Sequence, residues 1–548
     1  MQIPDLNPDS IADLATRQIV IQLLNVIETL AAENAALRVE NQNLRDEVAR
    51  LKGRSGKPDI KPPTPPPSPP PADHSSEAER RTRTPRGKPK KNATLIVTHE
   101  ERCGVDPATL PPDAVRHGTT DSIVQRLRID VEVVRFVRER WYVPSTNTLI
   151  TAPLPPGYRG GFCPTTHTIV PALGHGANVS QPALLRFLRD VGLKIGTGTV
   201  ARMLLDPKGR WADEAAAIHQ TGLATGSWVA TDQTSTRVDG QNEVCHVVGN
   251  AWFTSYHTRP GGTRQDVLAV IWGQELRYRL NDESLAWLQA RSLPHTLLRR
   301  LREALPRGTD MTAAELQQHL TNAGITLTPQ QVQPVGDALA LAAYHAQTQA
   351  PVLRWLLSDD APVYDHLTTT HALCWVHDWR HYAKLAPRAP HHQAELAAFG
   401  ERYWTFYRDL LAYQQAPTAA ERARLADAFD ALVEKETGYA ALDDRISKTA
   451  DKRTQLLAVL KHPDIPLHNN DMELAARRRV RKRDISFGPQ SRDGARAWDT
   501  FQTLAATAAK LGVGFFHYLR DRIVTPETTP TLAERVAQRA GIAVPSSA

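Results

Sequence analysis

Acidic residues at three well-separated places in the chain have the surroundings needed to share divalent metal ions. Asp232 sits in SWVATDQTSTRV, Asp359 and Asp360 follow the apolar run of RWLLSDDAPVY, and Asp471 and Glu473 open LHNNDMELAARRRVRKR. Magnesium is a hard cation that prefers oxygen ligands and keeps open positions for substrate oxygens. Two such ions roughly 4 Å apart activate an attacking oxygen and stabilise a leaving one, the chemistry of phosphodiester cleavage. Isolated acids carry little weight, because most Asp and Glu side chains are solvated surface groups. The elements that hold them therefore decide the reading.

Around Asp232, alternating and β-branched runs broken by Asp239-Gly240 predict a strand, a hairpin turn and a second strand, with a third in AWFTSYHTRPG. A helix is predicted over roughly 264–272, a short apolar strand ending at Ser358, and a fifth strand in HALCWVHDW. Three antiparallel strands, a helix, a strand, a helix and a strand are the order of a ribonuclease-H-like core. In that architecture the first strand and the end of the fourth are neighbours, so acids on them can share ions. Successive residues on a strand point to opposite faces, so only one of Asp359 and Asp360 can serve. Asp471 and Glu473 lie about 200° apart around a helix, so again only one can face the metals. Alternation and helical spacing leave both choices open.

The N-terminal 52 residues carry a different signal. Leu23, Leu30, Leu37, Leu44 and Leu51 recur every seventh position, with Val20, Ile27, Asn34, Asn41 and Val48 as the companion seam. Glu33, Glu40 and Glu47 take g positions and Arg38, Arg45 and Lys52 the e positions that follow, which predicts a parallel leucine-zipper homodimer. A helix folded back on the body is the alternative. The Pro-rich stretch GRSGKPDIKPPTPPPSPPPADHSS cannot continue a helix and reads as an extended linker. It leads into ERRTRTPRGKPKKN, where Arg80, Arg81, Lys90 and Lys91 are among bases that could neutralise phosphates or simply solvate a spacer.

Lys and Arg number 66 against 59 Asp and Glu, a net charge of +7 that favours a nucleic-acid partner where the bases cluster. The four cysteines, Cys103, Cys163, Cys245 and Cys374, form no CxxC pair and favour a reducing compartment. The N-terminus lacks a secretory pattern and no uninterrupted apolar run is long enough to span a bilayer, so a cytoplasmic, nucleoid-associated protein without a membrane partner is expected. Residues 123–143, IVQRLRIDVEVVRFVRERWYV, alternate as two half-buried strands would. Residues 181–204 read as a helix, a glycine turn at Gly192 and a second helix capped by Thr197 or Thr199. That pattern suits a DNA-reading helix-turn-helix and, equally, two packed helices.

From Asp232 onward the motifs resemble the DDE transposases of the insertion sequence 66 family. The likeness rests on TDQTSTRVDG, SDDAPVY, CWVH and NNDMELAARRRVRKRDISFGPQSRDGARAWDTFQTL, and continues through LAATAAKLGVGFFHYLRDRI. Position by position, it assigns the three metal-binding catalytic acids to Asp232, Asp359 and Glu473. It implies two Mg²⁺ ions, replaceable by Mn²⁺, and double-stranded DNA as partner, both transposon ends and target. A homodimer or higher oligomer and small accessory proteins are implied as well. Paired cysteines of a zinc-binding module are usual in the family, whereas only Cys103 and Cys163 stand here, so no zinc site is carried over. Cys374 and His377 lack a second pair and read as a buried thiol and a hydrogen-bonded imidazole. Arg477, Arg478, Arg479, Arg481, Lys482 and Arg483, directly after the third acid, are expected to hold the DNA backbone.

The chain is thus expected to be a multidomain α/β protein. Residues 1–52 form the coiled coil, 53–93 the basic linker, 94–160 a small β domain where the zinc module would stand, and 161–225 the helical, DNA-binding region. The core spans 226–274, 351–385 and the C-terminal helices and tail of 461–548, with helical insertions at 275–350 and 386–460. Within the insertion, TAAE at 312–315 is a capping box and Thr328-Pro329 another helix start. The expected activity is cleavage of transposon ends and joining of the 3′-hydroxyl to target DNA. The alternatives are an inactive or domesticated relative that only binds DNA, and a ribonuclease-H-like nuclease acting on RNA or branched DNA.

Overall fold

The computed structural model describes residues 6–51, 95–115, 118–205, 209–226, 228–348, 352–434 and 436–543. Helix α1 (Leu14–Leu51) is followed by a hairpin of β1 (Arg140–Val143) and β2 (Thr148–Thr151), then by α2 (Pro164–Pro171), α3 (Gln181–Asp190), α4 (Thr197–Leu205) and α5 (Arg210–Ala224). The central elements are β3 (Trp228–Val238), β4 (Gln241–Gly249), β5 (Thr254–Arg259) and α6 (Arg264–Trp272). Next come β6 (Tyr278–Arg279), α7 (Asp282–Ala290), α8 (His295–Ala304), β7 (Asp310–Met311), α9 (Ala313–Asn322) and α10 (Pro329–Ala346). Then come β8 (Trp355–Ser358), β9 (Thr370–Leu373), α11 (Trp375–Tyr382), α12 (Pro390–Gln415), α13 (Ala419–Glu434), α14 (Ala440–Asp451), α15 (Arg453–Leu456) and α16 (Ala458–Lys461). The chain closes with α17 (Asn470–Ser486), α18 (Arg492–Lys510), α19 (Phe515–Val524) and α20 (Leu532–Ala540).

The protein is mixed α/β, built round a five-stranded sheet in the order β5-β4-β3-β8-β9. Strands β3, β4 and β5 are antiparallel neighbours, while β8 runs parallel to β3 and β9 parallel to β8. The predicted Asp239-Gly240 turn joins β3 to β4, with positive φ at both residues (47° and 74°), the geometry a two-residue hairpin needs. The predicted helix after β5 is α6, started by a Thr263/Asp266 capping box and stopped at Gly273 in the left-handed region.

Strand alternation divides the core. Val229, Val248 and Leu356 face α5, α6 and α10, whereas Ala230, Val247 and Leu357 face Met472, Ala475 and Ala476 of α17. Helix α18 closes the β5 edge: the Thr254, Tyr256 and Thr258 amides donate to side chains of Thr507, Thr503 and Asp499 (3.3, 3.0 and 2.7 Å). These bonds satisfy the row of edge N–H groups that would otherwise invite another strand.

Three expectations are corrected. The fifth strand is only Thr370–Leu373, and CWVHDW turns into α11. The cause is Trp375: its ring is buried among Tyr403, Phe406 and Phe429, and its indole N–H donates to the Leu456 carbonyl at 2.9 Å. Second, residues 123–139 form no strand pair. They run exposed and irregular, and the hairpin lies later, at β1 and β2, where Asn147 (φ 51°) makes the turn. No sheet or helix face in the described chain covers those alternating side chains, so alternation alone does not produce a ladder.

Third, α1 contains a stretch long and apolar enough, by length and composition alone, to cross a membrane. Its first half is nonetheless docked on the body. Leu24 is buried, Asn25 exchanges hydrogen bonds with Gly438 and Ala440, and the Glu28 carboxylate accepts from the amides of Arg388 and Ala389 at the start of α12. Leu23, Leu30, Leu37, Leu44 and Leu51 stay more than half exposed on the other side, and Asn34 and Asn41 are exposed too. The linker residues Arg80, Arg81, Lys90 and Lys91 lie outside the described residues.

Candidate functional site

Strand register brings the first two acids together. The parallel ladder pairs Ala230 with Leu357, and continuing it by two residues sets Asp232 level with Asp359. Both follow the face that α17 covers. Asp360 points elsewhere, held by Lys452 and facing His381 (3.4 Å). On α17, Asp471 is exposed and faces Lys510 at 3.8 Å, while Glu473, on the inward side, is only 8% exposed.

The loop before α17 is stitched to the strand ends. The Asn469 side-chain amide donates to the Thr231 carbonyl beside Asp232 (2.7 Å), its backbone N–H reaches the Cys374 thiol (3.3 Å), and the Trp375 N–H donates to Leu467 (2.9 Å). This gives Asn469 a physical role: it fixes the start of the helix that delivers Glu473. At its far end, Phe487 and Gly488 both have positive φ, and a Cβ on Gly488 would stand 2.6 Å from the Arg237 carbonyl oxygen. Only glycine permits that approach to the β3–β4 hairpin.

The positive charge of the site gathers on Glu473. Asp232 accepts one hydrogen bond, from the Gln233 N–H (2.8 Å). Burial, reinforced by Glu473 and Asp359, pushes its carboxyl up to about 7 against the opposing pull of Gln233 and Arg380. Asp359 accepts from the Ala361 N–H at 3.1 Å. Burial, with Asp359 and then Asp232, raises the Tyr364 phenol well above its ordinary value, so Tyr364 stays a neutral wall of the site. An all-oxygen donor set whose burial penalises its own charge fits a hard divalent cation.

Glu473 is engaged differently. Arg380 of α11 donates to both its oxygens (3.0 and 2.8 Å), and Arg477 adds a bond at 3.2 Å. His377 Nε2 accepts from Arg380 at 2.8 Å, so its 3.6 Å approach to Glu473 is not a hydrogen bond. The ligand atoms of Asp232, Asp359 and Glu473 do not all lie within 4.8 Å of one another; among the described residues the group that does is Asp9, His391 and Glu395. Arg380, His377 and Tyr364 were missed as site residues, although CWVH and SDDAPVY contain or adjoin all three. The Cys374 thiol is buried, and burial pushes it up to about 11, the state of an inert packing group.

The basic run splits. Arg477, Arg478 and Arg481 are exposed and Arg483 is half-buried, donating to Ser235. Arg479 and Lys482 are buried, so their expected contact with DNA is corrected. Arg479 pairs with Asp499, and the Lys482 ammonium donates to the Gly174 carbonyl. Both continue the inward stripe of Met472, Ala475 and Ala476, at helical spacing. Arg237 and Arg483 line an open groove of about 630 Å³ with Ser235, Asn242 and Pro260, beside the β3–β4 hairpin.

Comparison with known proteins agrees with these motifs. The model of the family described as Transposase IS66 family matches residues 343–497, a stretch that includes Asp359 and Glu473 and begins after Asp232. The uncharacterized protein y4jO of Sinorhizobium fredii is 31% identical over 323 residues, which span 58% of this chain and 99% of that protein. No solved structure matches. The chain belongs to the IS66 family of transposases.

Proposed function

We propose that this protein is a DDE-type DNA transposase that cleaves transposon ends and joins the freed 3′-hydroxyl to target DNA. The observation that carries the reading is the placement of Asp232 on β3 and of Asp359 just past the end of the adjacent parallel strand β8, with Glu473 entering from the helix over the same face. The sheet order and strand directions support the reading of a ribonuclease-H-like core, in which 275–350 and 386–460 would be insertions.

Asp232, Asp359 and Glu473 would hold two Mg²⁺ ions, for which Mn²⁺ can substitute. Bound there, such ions supply Lewis-acid charge that favours an ionised attacking oxygen and a departing alkoxide. The protein's own groups orient and exclude. Asn469 holds the strand end against α17, Tyr364 closes one wall, and the exposed Arg478 and Arg481 offer donors to backbone phosphates. In the first step water displaces the 3′ oxygen from phosphorus; in the second that 3′-hydroxyl displaces the 3′ oxygen of a target phosphodiester. No carboxylate acts as nucleophile, so no covalent enzyme intermediate forms.

The exposed heptad leucines of α1 would pair with those of a second copy in a parallel zipper, holding two DNA ends together. Leu30→Glu with Leu37→Glu should convert a dimer to a monomer by sedimentation; an unchanged dimer would place the interface elsewhere. The catalytic test is incubation of the native dimer with end-bearing DNA and Mg²⁺ or Mn²⁺. Nicking and a joined donor–target product are expected, with Asp232→Asn binding DNA but cutting nothing. DNA binding without nicking by the native protein would favour the binding-only alternative, and cleavage without joining would favour a nuclease.

A further inference from the structure

We propose that Arg380 is a displaceable counter-ion of Glu473, which keeps the third acid closed until a divalent cation and DNA phosphate arrive together. This rests on the assignment of the three acids as metal ligands. Three observations carry it. One Arg380 nitrogen, Nη2, reaches both carboxylate oxygens of Glu473, at 3.0 and 2.8 Å, in a charge-assisted contact, while Nη1 is given to His377. Those oxygens are the ones a cation would need, and Glu473 is too buried to offer others from the solvent side. Finally, the ligand atoms of the three acids are not drawn into one tight group.

Arg380 is built to leave. Its side chain is 41% exposed, whereas that of Glu473 is 10% exposed, so the arginine can swing to solvent while the acid stays. It sits at the end of the short helix α11, and its other bond, to His377 Nε2, is made to a neutral ring. Arg477, one turn along α17, also touches Glu473 but through a single oxygen at 3.2 Å and from a more exposed position. A guanidinium released at the edge of an acid cluster is matched in charge and planarity to a phosphate, so DNA would take the arginine as the cation takes the glutamate. Cation and DNA would then bind with positive coupling, each removing a competitor of the other.

The test reads Mn²⁺ binding, by paramagnetic resonance of the free ion, to the full-length protein without DNA. Arg380→Ala should bind Mn²⁺ about tenfold more tightly than the native protein, because the cation no longer has to break charge-assisted hydrogen bonds. Arg380→Lys, with a single point of charge, should fall between, and melting temperature would report whether each variant is folded. Adding a short DNA duplex should tighten Mn²⁺ binding to the native protein and do so much less for Arg380→Ala. Unchanged or weaker Mn²⁺ binding in both Arg380 variants would overturn the counter-ion role. Equal tightening by DNA in native protein and Arg380→Ala would overturn the transfer to phosphate. Mn²⁺ binding that is insensitive to Asp232→Asn, Asp359→Asn and Glu473→Gln would instead overturn the metal-ligand assignment beneath it.

Discussion

Asp378, buried on the helix after β9, and Asp232, half-buried within β3, are both largely withdrawn from water, yet their surroundings are opposite. Asp378 is paired with Arg445, accepts from Thr449 Oγ1 at 3.0 Å and from the Tyr403 hydroxyl at 3.2 Å, and sits in the aromatic core of α11 to α14. Asp232 has one backbone N–H, two other carboxylates and the more weakly felt charge of Arg380, which is itself bound to Glu473. A buried charge that is paired and fully hydrogen-bonded is a strut. One that is left among like charges is a receptor, because only a cation from outside relieves it. On the proposed function, this contrast is what would separate a structural acid from a metal-binding one where burial alone does not.

The sharpest way to break this distinction is to exchange adjacent acids. Asp359→Asn removes a receptor acid and should lower DNA nicking by more than about a thousandfold, equivalent to ~4 kcal/mol of barrier. Asp360→Asn removes a pair with Lys452 outside the cluster and should keep nicking within about tenfold of native. Equal losses in the two variants would mean that the strand register does not choose the acid.

On the other side of the comparison, Asp378→Asn leaves the Arg445 guanidinium, 8% exposed, without its carboxylate. Stability should fall by about 3 kcal/mol, the cost of breaking one side of a buried pair. Asp232→Asn should leave stability unchanged or raised, since it removes a penalised charge. Urea midpoints measure both, and a larger loss for Asp232→Asn would reverse the assignment of strut and receptor.

The acids were legible in the sequence because strand alternation and a strand end are local facts. Period two put Asp232 on the face of Ala230, and the apolar run before Ser358 marked where a strand must stop. What local spacing left open, Asp359 against Asp360 and Glu473 against Asp471, depends on which face a distant helix covers, and there the family motifs supplied the choice. The β9–α11 boundary was hidden for the same reason. Its apolar run suits a strand until Trp375 meets Tyr403 and Phe429, aromatic residues that come later in the chain. The basic run misled in a way its own periodicity could have corrected, since Arg479 and Lys482 continue the Met472, Ala475 and Ala476 stripe.

That correction makes a third prediction, within one helix. Arg478→Ala with Arg481→Ala should weaken DNA binding roughly tenfold at moderate salt and flatten the slope of log affinity against log salt by about 0.9 for each phosphate no longer neutralised. Arg479→Ala should instead unfold or soften the packing of α17 on α18, an effect seen in melting and not in the salt slope. A salt slope altered by Arg479→Ala in a protein of native stability would restore that residue to the DNA surface.

The smallest effect is expected from Lys482, the other buried base. Burial, with Arg479 beside it, holds its ammonium down to about 7 from an ordinary 10.5. Its folded value lies below its unfolded one, so between about pH 7 and 10 the unfolded chain binds more protons and stability should rise with pH. Below about 7 the folded protein carries the buried charge, and the penalty is fully present. Lys482→Met removes the titrating group while keeping an unbranched side chain, so it should flatten this rise between pH 7 and 9 in urea unfolding. An identical slope in the variant would show that Lys482 stays charged in its seat against the Gly174 carbonyl and the Trp498 ring, whose centroid is 4.7 Å away, and that such partners suffice to hold a buried cation.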